Sequence, residues 1–113
     1  MTPVERPWGS YEVLHEEPGL KVKKITIDPG KRMSLQLHAR RSEQWSFISG
    51  RGFASIGKYP HHVMAGDCLQ VPSMARHRVQ NIGDSPLVFV EVQTGDYLGE
   101  DDIVRFEDDF GRV

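Results

Sequence analysis

Turn-forming residues recur at short intervals along the chain, and the runs between them have the length of strands. Pro18-Gly19, Asp28-Pro29-Gly30, Ser49-Gly50-Arg51-Gly52, Gly57-Lys58, Ala65-Gly66-Asp67, Asn81-Ile82-Gly83-Asp84 and Thr94-Gly95-Asp96 each mark a place where the backbone reverses. The intervening runs 11–15, 21–27, 34–38, 44–48, 53–56, 62–64, 68–71, 77–80 and 87–92 read as strands. Many short strands at this spacing predict an all-β sandwich or barrel. No long amphipathic helix, internal repeat or low-complexity linker interrupts the pattern. At 113 residues, one core and one domain, 1–113, are expected. Glu100-Asp101-Asp102 offers carboxylates suited to opening a helical turn. The preferred reading is a tail packed across the barrel by Ile103, Val104, Phe106 and Phe110.

One of these strands is polar where a core face is needed. Side chains alternate along a strand, so Ser34, Gln36 and His38 share one face while Leu35 and Leu37 share the other. If both faces are covered, the polar groups need partners. An amide oxygen, an imidazole and, shortly afterwards, the Glu43 carboxylate are groups suited to a divalent cation. His77 follows much later, after Gly66, Asp67 and the run Cys68-Leu69-Gln70-Val71-Pro72, with Asn81 four residues beyond it. Trp45 and Phe47 alternate with Glu43 and share its face, as core residues or as the lining of a cavity. In the last long run, Val88, Val90 and Val92 oppose Phe89, Glu91 and Gln93. Either Glu91 or Gln93 could reach a cavity, and at least one is expected to face solvent.

The spacing from Gly30 through Gln36, His38 and Glu43 to Gly50, and from Gly66 through Pro72 and His77 to Asn81, resembles the two motifs of the cupin superfamily. The general pattern has His where this chain has Gln36, a substitution that looks like the phosphomannose isomerases. It also has Gly where this chain has Met74. If that position needs φ > 0, Met is a costly occupant. Arg6-Pro7-Trp8-Gly9-Ser10-Tyr11-Glu12 is similar to the opening of the cupin domain of type II mannose-6-phosphate isomerases. Tyr97-Leu98-Gly99-Glu100-Asp101-Asp102-Ile103-Val104-Arg105 and Asp109-Phe110-Gly111-Arg112 look like its closing signature.

The resemblance implies a double-stranded β-helix, that is, a jelly-roll barrel. It implies one divalent metal ion, zinc or another transition metal, held by Gln36, His38, Glu43 and His77. The implied activity is an aldose-ketose isomerisation between mannose 6-phosphate and fructose 6-phosphate. Arg105 and Arg112 become candidates to hold the sugar phosphate, Trp45 to line its cavity, and Glu43 and Arg105 to take part in catalysis. Coordination would lower the basicity of Glu43, and the sequence does not single out a base. In many relatives this domain follows a sugar-nucleotide transferase, and no Gly-rich nucleotide-binding segment precedes it here, so only the isomerase half is expected. In the run His38-Ala39-Arg40-Arg41-Ser42-Glu43-Gln44-Trp45, Ala39, Arg40 and Gln44 stand where the family often has imidazoles. That departure motivates an alternative, a non-catalytic metal-containing cupin that binds a sugar or sugar phosphate. Dioxygen chemistry is a third reading and would require a redox metal.

A net charge of −2 with both signs interspersed argues against a nucleic-acid-binding face. Lys31, Arg32, Arg40 and Arg41 bracket the first motif and are expected to form a solvated face, with a phosphate contact as the alternative. For Arg105 and Arg112 the alternative is a salt bridge to Glu100, Asp101 or Asp102. Cys68 has no second cysteine to pair with and is expected as a small core residue. His61 and His62 are expected as a solvated pair at a hairpin beside Tyr59-Pro60. No apolar run approaches the ~20 residues needed to span a bilayer and the start lacks signal-peptide character, so a cytoplasmic location without membrane contact is expected. Exposed sheet edges suggest a homodimer.

Overall fold

The expected strands form, and the turn clusters fall at or between their ends. The computed structural model describes residues 2–113. Its strands are β1 Val4–Arg6, β2 Gly9–Glu17, β3 Leu20–Ile27, β4 Leu35–Leu37, β5 Arg41–Ser49, β6 Arg51–Ile56, β7 Tyr59–Met64, β8 Cys68–Val71, β9 His77–Asn81, β10 Leu87–Gly95 and β11 Val104–Glu107. Every pairing is antiparallel. One sheet runs β1-β2-β3-β10-β5-β8 and the other β11-β4-β9-β6-β7. Neighbours that are distant in sequence, such as β3 with β10, make this a jelly roll rather than a meander. No helix occurs among the described residues, and so no helix long and apolar enough to cross a membrane.

The inner face of the six-stranded sheet changes character along its length. Phe47, Phe89 and Ile25 are register neighbours across β5, β10 and β3, all buried in the apolar core with Ile27 and Leu87. One step along, the corresponding row is Trp45, Glu91 and Lys23, and the next is Glu43, Gln93 and Lys21. All six side chains are buried. The barrel therefore has an apolar end that holds it together and a polar end that needs internal partners. Glu91 and Gln93 thus correct the sequence expectation that at least one faces solvent. They fall on the same strand face as Phe89, and that face is covered throughout.

Two further expectations, for Cys68 and for the closing tail, are corrected. Cys68 is exposed. The two-residue period places it on the outer face of β8, beside Ser46, at an edge where nothing covers it. The hairpin near His61 and His62 turns at Gly57-Lys58, and Tyr59-Pro60 belong to β7. Proline is tolerated there because β7 is an edge strand, and both histidines are exposed as expected. The closing tail forms an edge strand, β11 on β4, with a turn but no helix at Glu100-Asp101. Val104 on that edge is half exposed instead of packed across the barrel.

Met74 does adopt positive φ, at 70°. The turn that requires it aims the Met74 N–H at the His38 carbonyl, 2.8 Å away, and ties the loop of the second motif to the first. A left-handed conformation costs a non-glycine residue about 1–2 kcal/mol, and the exposed Met74 side chain offers little packing in return. Met74→Gly is therefore expected to stabilise the fold by about 1 kcal/mol, the strain relieved less the unfolded-state entropy of glycine. A urea midpoint that fails to rise would show that the methionine side chain contributes packing after all.

Candidate functional site

Strand register brings the separated polar residues into one row. Arg105 on β11 pairs with Gln36 on β4, and Gln36 pairs with His77 on β9. Directly opposed residues project to the same side of a sheet, so these three face the barrel interior together. His38 and Glu43 lie on either side of the short crossing from β4 to β5. The nearest ligand atoms of His38, Glu43 and His77 all lie within 4.8 Å of one another. His38 Nε2 is 3.4 Å from one Glu43 oxygen and His77 Nε2 is 3.9 Å from the other.

Hydrogen bonds fix which atoms of these residues are left to bind. His38 Nδ1 donates to the Asp102 carbonyl at 2.7 Å, and His77 Nδ1 donates to the Ala75 carbonyl at 2.9 Å. A carbonyl can only accept, so each ring carries its proton on Nδ1 and turns an Nε2 lone pair inward. Burial, reinforced by Arg41 and His77, pushes the His38 pKa down to about 4. Burial likewise lowers that of His77, so both rings are neutral near pH 7, the form in which imidazole binds a metal. Gln36 donates its amide N–H to the Ser34 hydroxyl at 2.9 Å and to the Ser34 carbonyl at 3.3 Å, which leaves its oxygen free. One Glu43 oxygen accepts from Trp45 Nε1 at 3.0 Å.

A cation already stands among these lone pairs. The Arg41 guanidinium donates to Glu43 Oε2 from Nε at 3.0 Å and to His38 Nε2 from Nη2 at 3.1 Å, with Nη2 also 2.9 Å from Glu43 Oε2. Two neutral imidazoles and a carboxylate close to one another, with the Gln36 amide on the strand position paired with His77, form a donor set that fits a divalent transition metal, zinc included. Arg41 borders that donor set, bonded to two of its members. Sequence spacing grouped Arg41 with Lys31, Arg32 and Arg40 in a solvated face. Strand alternation instead buries Arg41, while Arg32 pairs with Asp109 and Arg40 with Asp96 outside.

The donor set opens onto a cavity of about 340 Å³, lined among others by Gln36, His38, His77, Trp45, Arg105 and Arg112. Glu43 sits behind Arg41, which forms the wall at that point. Trp45 is both core and lining, since it packs on Phe89 and on the His77 ring at 5.6 Å and also borders the cavity. Arg112 is held by Asp108 in a two-bonded pair at 2.8 and 2.9 Å, not by the acidic run at 100–102. Arg105 has a buried Nε without a hydrogen-bond partner. Ala39, Arg40 and Gln44 are exposed and do not line the cavity, so the missing imidazoles leave it unchanged.

Two further residues line the cavity: Glu91, which the sequence offers as able to reach one, and Lys23, which it does not single out. Glu91 accepts from Gln93 Nε2 at 2.8 Å and from Trp45 Nε1 at 3.3 Å. Burial first, then the nearby Glu43 charge, pushes its pKa up to about 8. Lys23 is held by Glu100 at 2.7 Å and lies over the Tyr11 ring. The β10 alternation of Phe89, Glu91 and Gln93 was the available signal for the first. For the second, the run from Leu20 to Ile27 carries three lysines, and nothing local says which of them turn inward. Asn81 proves structural, its side chain tying Ile27, Gly83 and Ser85 together.

Comparison with known proteins agrees with this frame. The family described as Mannose-6-phosphate isomerase C-terminal matches residues 1–108. The xanthan biosynthesis protein XanB of Xanthomonas campestris pv. campestris is 43% identical over 110 residues, 97% of this chain and 24% of that protein. The mannose-1-phosphate guanylyltransferase ManC of Salmonella typhimurium is 39% identical over 110 residues, 97% of this chain and 23% of that protein. The chain thus spans about a quarter of the length of these curated relatives. In fold it is similar to an uncharacterised Klebsiella pneumoniae protein with a double-stranded β-helix domain, with a TM-score of 0.75 and 23% identity over 94% of this chain and 85% of that one. A double-stranded β-helix frame, matched in sequence along nearly its whole length, makes this chain a member of the mannose-6-phosphate isomerase C-terminal family, with the cupin fold.

Proposed function

We propose that the chain is a metal-dependent sugar-phosphate isomerase that interconverts mannose 6-phosphate and fructose 6-phosphate. The observation that carries this reading is the single row Arg105-Gln36-His77. It places a guanidinium with an unpartnered Nε beside a metal donor set in one cavity of small-ligand size. Gln36, His38, Glu43 and His77 would hold the ion, zinc or another divalent transition metal. When bound, such an ion supplies Lewis-acid polarisation of a carbonyl and its neighbouring hydroxyl.

The remaining work falls to the chain. Arg105, with Arg112 beside it, takes the phosphate and fixes where the sugar carbons lie. The reaction moves one proton from C2 to C1 and one from O2 to O1, so no atom is gained or lost. Lys23, Glu91 and Glu100 line the same cavity and are the side chains placed to carry protons. Trp45 keeps one wall dry. The test is product formation: zinc-, cobalt- or manganese-loaded protein should convert mannose 6-phosphate to fructose 6-phosphate, and chelator-stripped protein should not. Tight binding of the sugar phosphate without turnover would select the non-catalytic metal cupin instead. A homodimer belongs to the same proposal, because β7 and β8 leave two sheet edges uncovered; light scattering that reports a monomer would overturn it.

A further inference from the structure

His38 has no sheet ladder to hold it. β4 ends at Leu37 after three residues, and His38 to Arg40 form an irregular link to β5. Besides Met74 on its carbonyl and Arg41 on its Nε2, His38 is held by a residue far along the chain. Asp102 accepts His38 Nδ1–H on its backbone carbonyl at 2.7 Å. Its two carboxylate oxygens accept the N–H groups of Ala39 at 3.0 Å and Arg40 at 2.9 Å. Three bonds from one residue thus fix both the ring and the backbone that presents it.

Asp102 belongs to the segment after β10 that carries the other cavity groups. Glu100 lies two residues before it and Arg105 three residues after it, and both line the cavity. Elsewhere this segment is held by Asp96 to Arg40, Lys21 to the Leu98 carbonyl, Lys23 to Glu100, Arg78 to the Glu107 carboxylate and carbonyl, and β11 on the three-residue β4.

We propose that Asp102 is a positioning residue for the metal centre, and that through it metal occupancy and docking of residues 96–107 form one linked equilibrium. An ion held by His38 Nε2 would take the place of the Arg41 Nη2 contact there and would strengthen the Nδ1–H bond to Asp102, whose segment carries Glu100 and Arg105. Linkage makes this reciprocal, so a sugar phosphate held by Arg105 raises affinity for the metal. The inference rests on the metal-centre reading above.

The experiment measures zinc affinity by chelator competition, together with amide exchange of residues 96–107 with and without zinc. Wild type should bind one zinc and show slower exchange in that segment when zinc is present. Asp102→Ala keeps the backbone carbonyl that accepts His38 Nδ1–H but removes both carboxylate bonds to the Ala39 and Arg40 N–H groups that hold that carbonyl against the ring, and should lose about 10-fold in zinc affinity, the low end of the cost of disturbing an outer-shell partner of a metal-binding histidine. In that variant zinc should no longer protect the segment, while amides of β3, β5 and β10 remain protected. Asp96→Ala, which removes only an exposed ion pair on the same segment, should leave zinc affinity unchanged. If Asp102→Ala loses protection in β3, β5 and β10, Asp102→Asn decides by the same two readings. Asp102→Ala with wild-type zinc affinity would overturn the inference alone. A wild type that binds no zinc, cobalt or manganese would overturn the metal centre and the inference with it.

Discussion

His77→Ala should abolish metal binding and, with it, isomerisation. His77 is buried, its Nδ1–H is committed to Ala75, and its Nε2 is 3.9 Å from Glu43. No other side chain can move into its place, because β9 pairs on both sides and its neighbours along the inner face are Val79 and Asn81, both buried and engaged elsewhere. Loss of an outer-shell partner costs a metal site about 10–100-fold in affinity, and loss of a ligand should exceed that range. Metal content after dialysis and turnover of mannose 6-phosphate measure the effect. Wild type stripped by chelator should recover on adding zinc, whereas the variant should not. A variant that retains one tightly held ion per chain would remove His77 from the ligand set. Because the ring also packs on Trp45, His77→Gln serves as a variant closer in volume.

Arg105→Ala should weaken the sugar phosphate far more than it slows the reaction. A hydrogen bond to a charged group contributes about 1.5–3 kcal/mol, so KM should rise about 10–100-fold while kcat changes little, the pattern expected when ground state and transition state lose the same contact. Arg105→Lys should recover only part of the loss, since an ammonium cannot reproduce a two-bonded guanidinium contact. Arg112→Ala should act less cleanly, because Asp108 already holds that guanidinium and its removal frees a carboxylate near the cavity. An unchanged KM in Arg105→Ala would place the phosphate elsewhere, with Arg6, Lys23 and Arg41 as the cations of the lining besides Arg112.

What could be read from the sequence was whatever follows from local chemistry. Turn residues mark the ends of most strands, and alternation around Gln36 and His38 exposes a polar inner face before any partner is known. The left-handed backbone at Met74 was legible because a glycine position in a recognised motif had been filled by another residue. Failures occurred where the outcome depends on which sheet face is covered. Cys68 sits in an apolar run, yet its side of β8 has nothing over it. For Glu91 and Gln93 alternation leaves a cavity or solvent open, yet both are buried, with partners in their own sheet: Gln93 donates to Glu91, and Trp45 on the neighbouring β5 donates to Glu91. Arg41 was misplaced for the same reason: a basic run reads as solvated until alternation turns one member inward. The partnership of Asp102 with His38 spans 64 residues, a separation at which no spacing rule operates.

Proton exchange tests the central claim most directly. Metal-loaded protein is mixed with mannose 6-phosphate in deuterated buffer and followed by NMR. Isomerisation by a proton shift between C1 and C2 predicts that fructose 6-phosphate appears with deuterium entering at the exchanged carbon, and that chelator stops both. Unchanged substrate in the presence of verified bound metal would contradict the isomerase and leave a metal-containing sugar-phosphate binder.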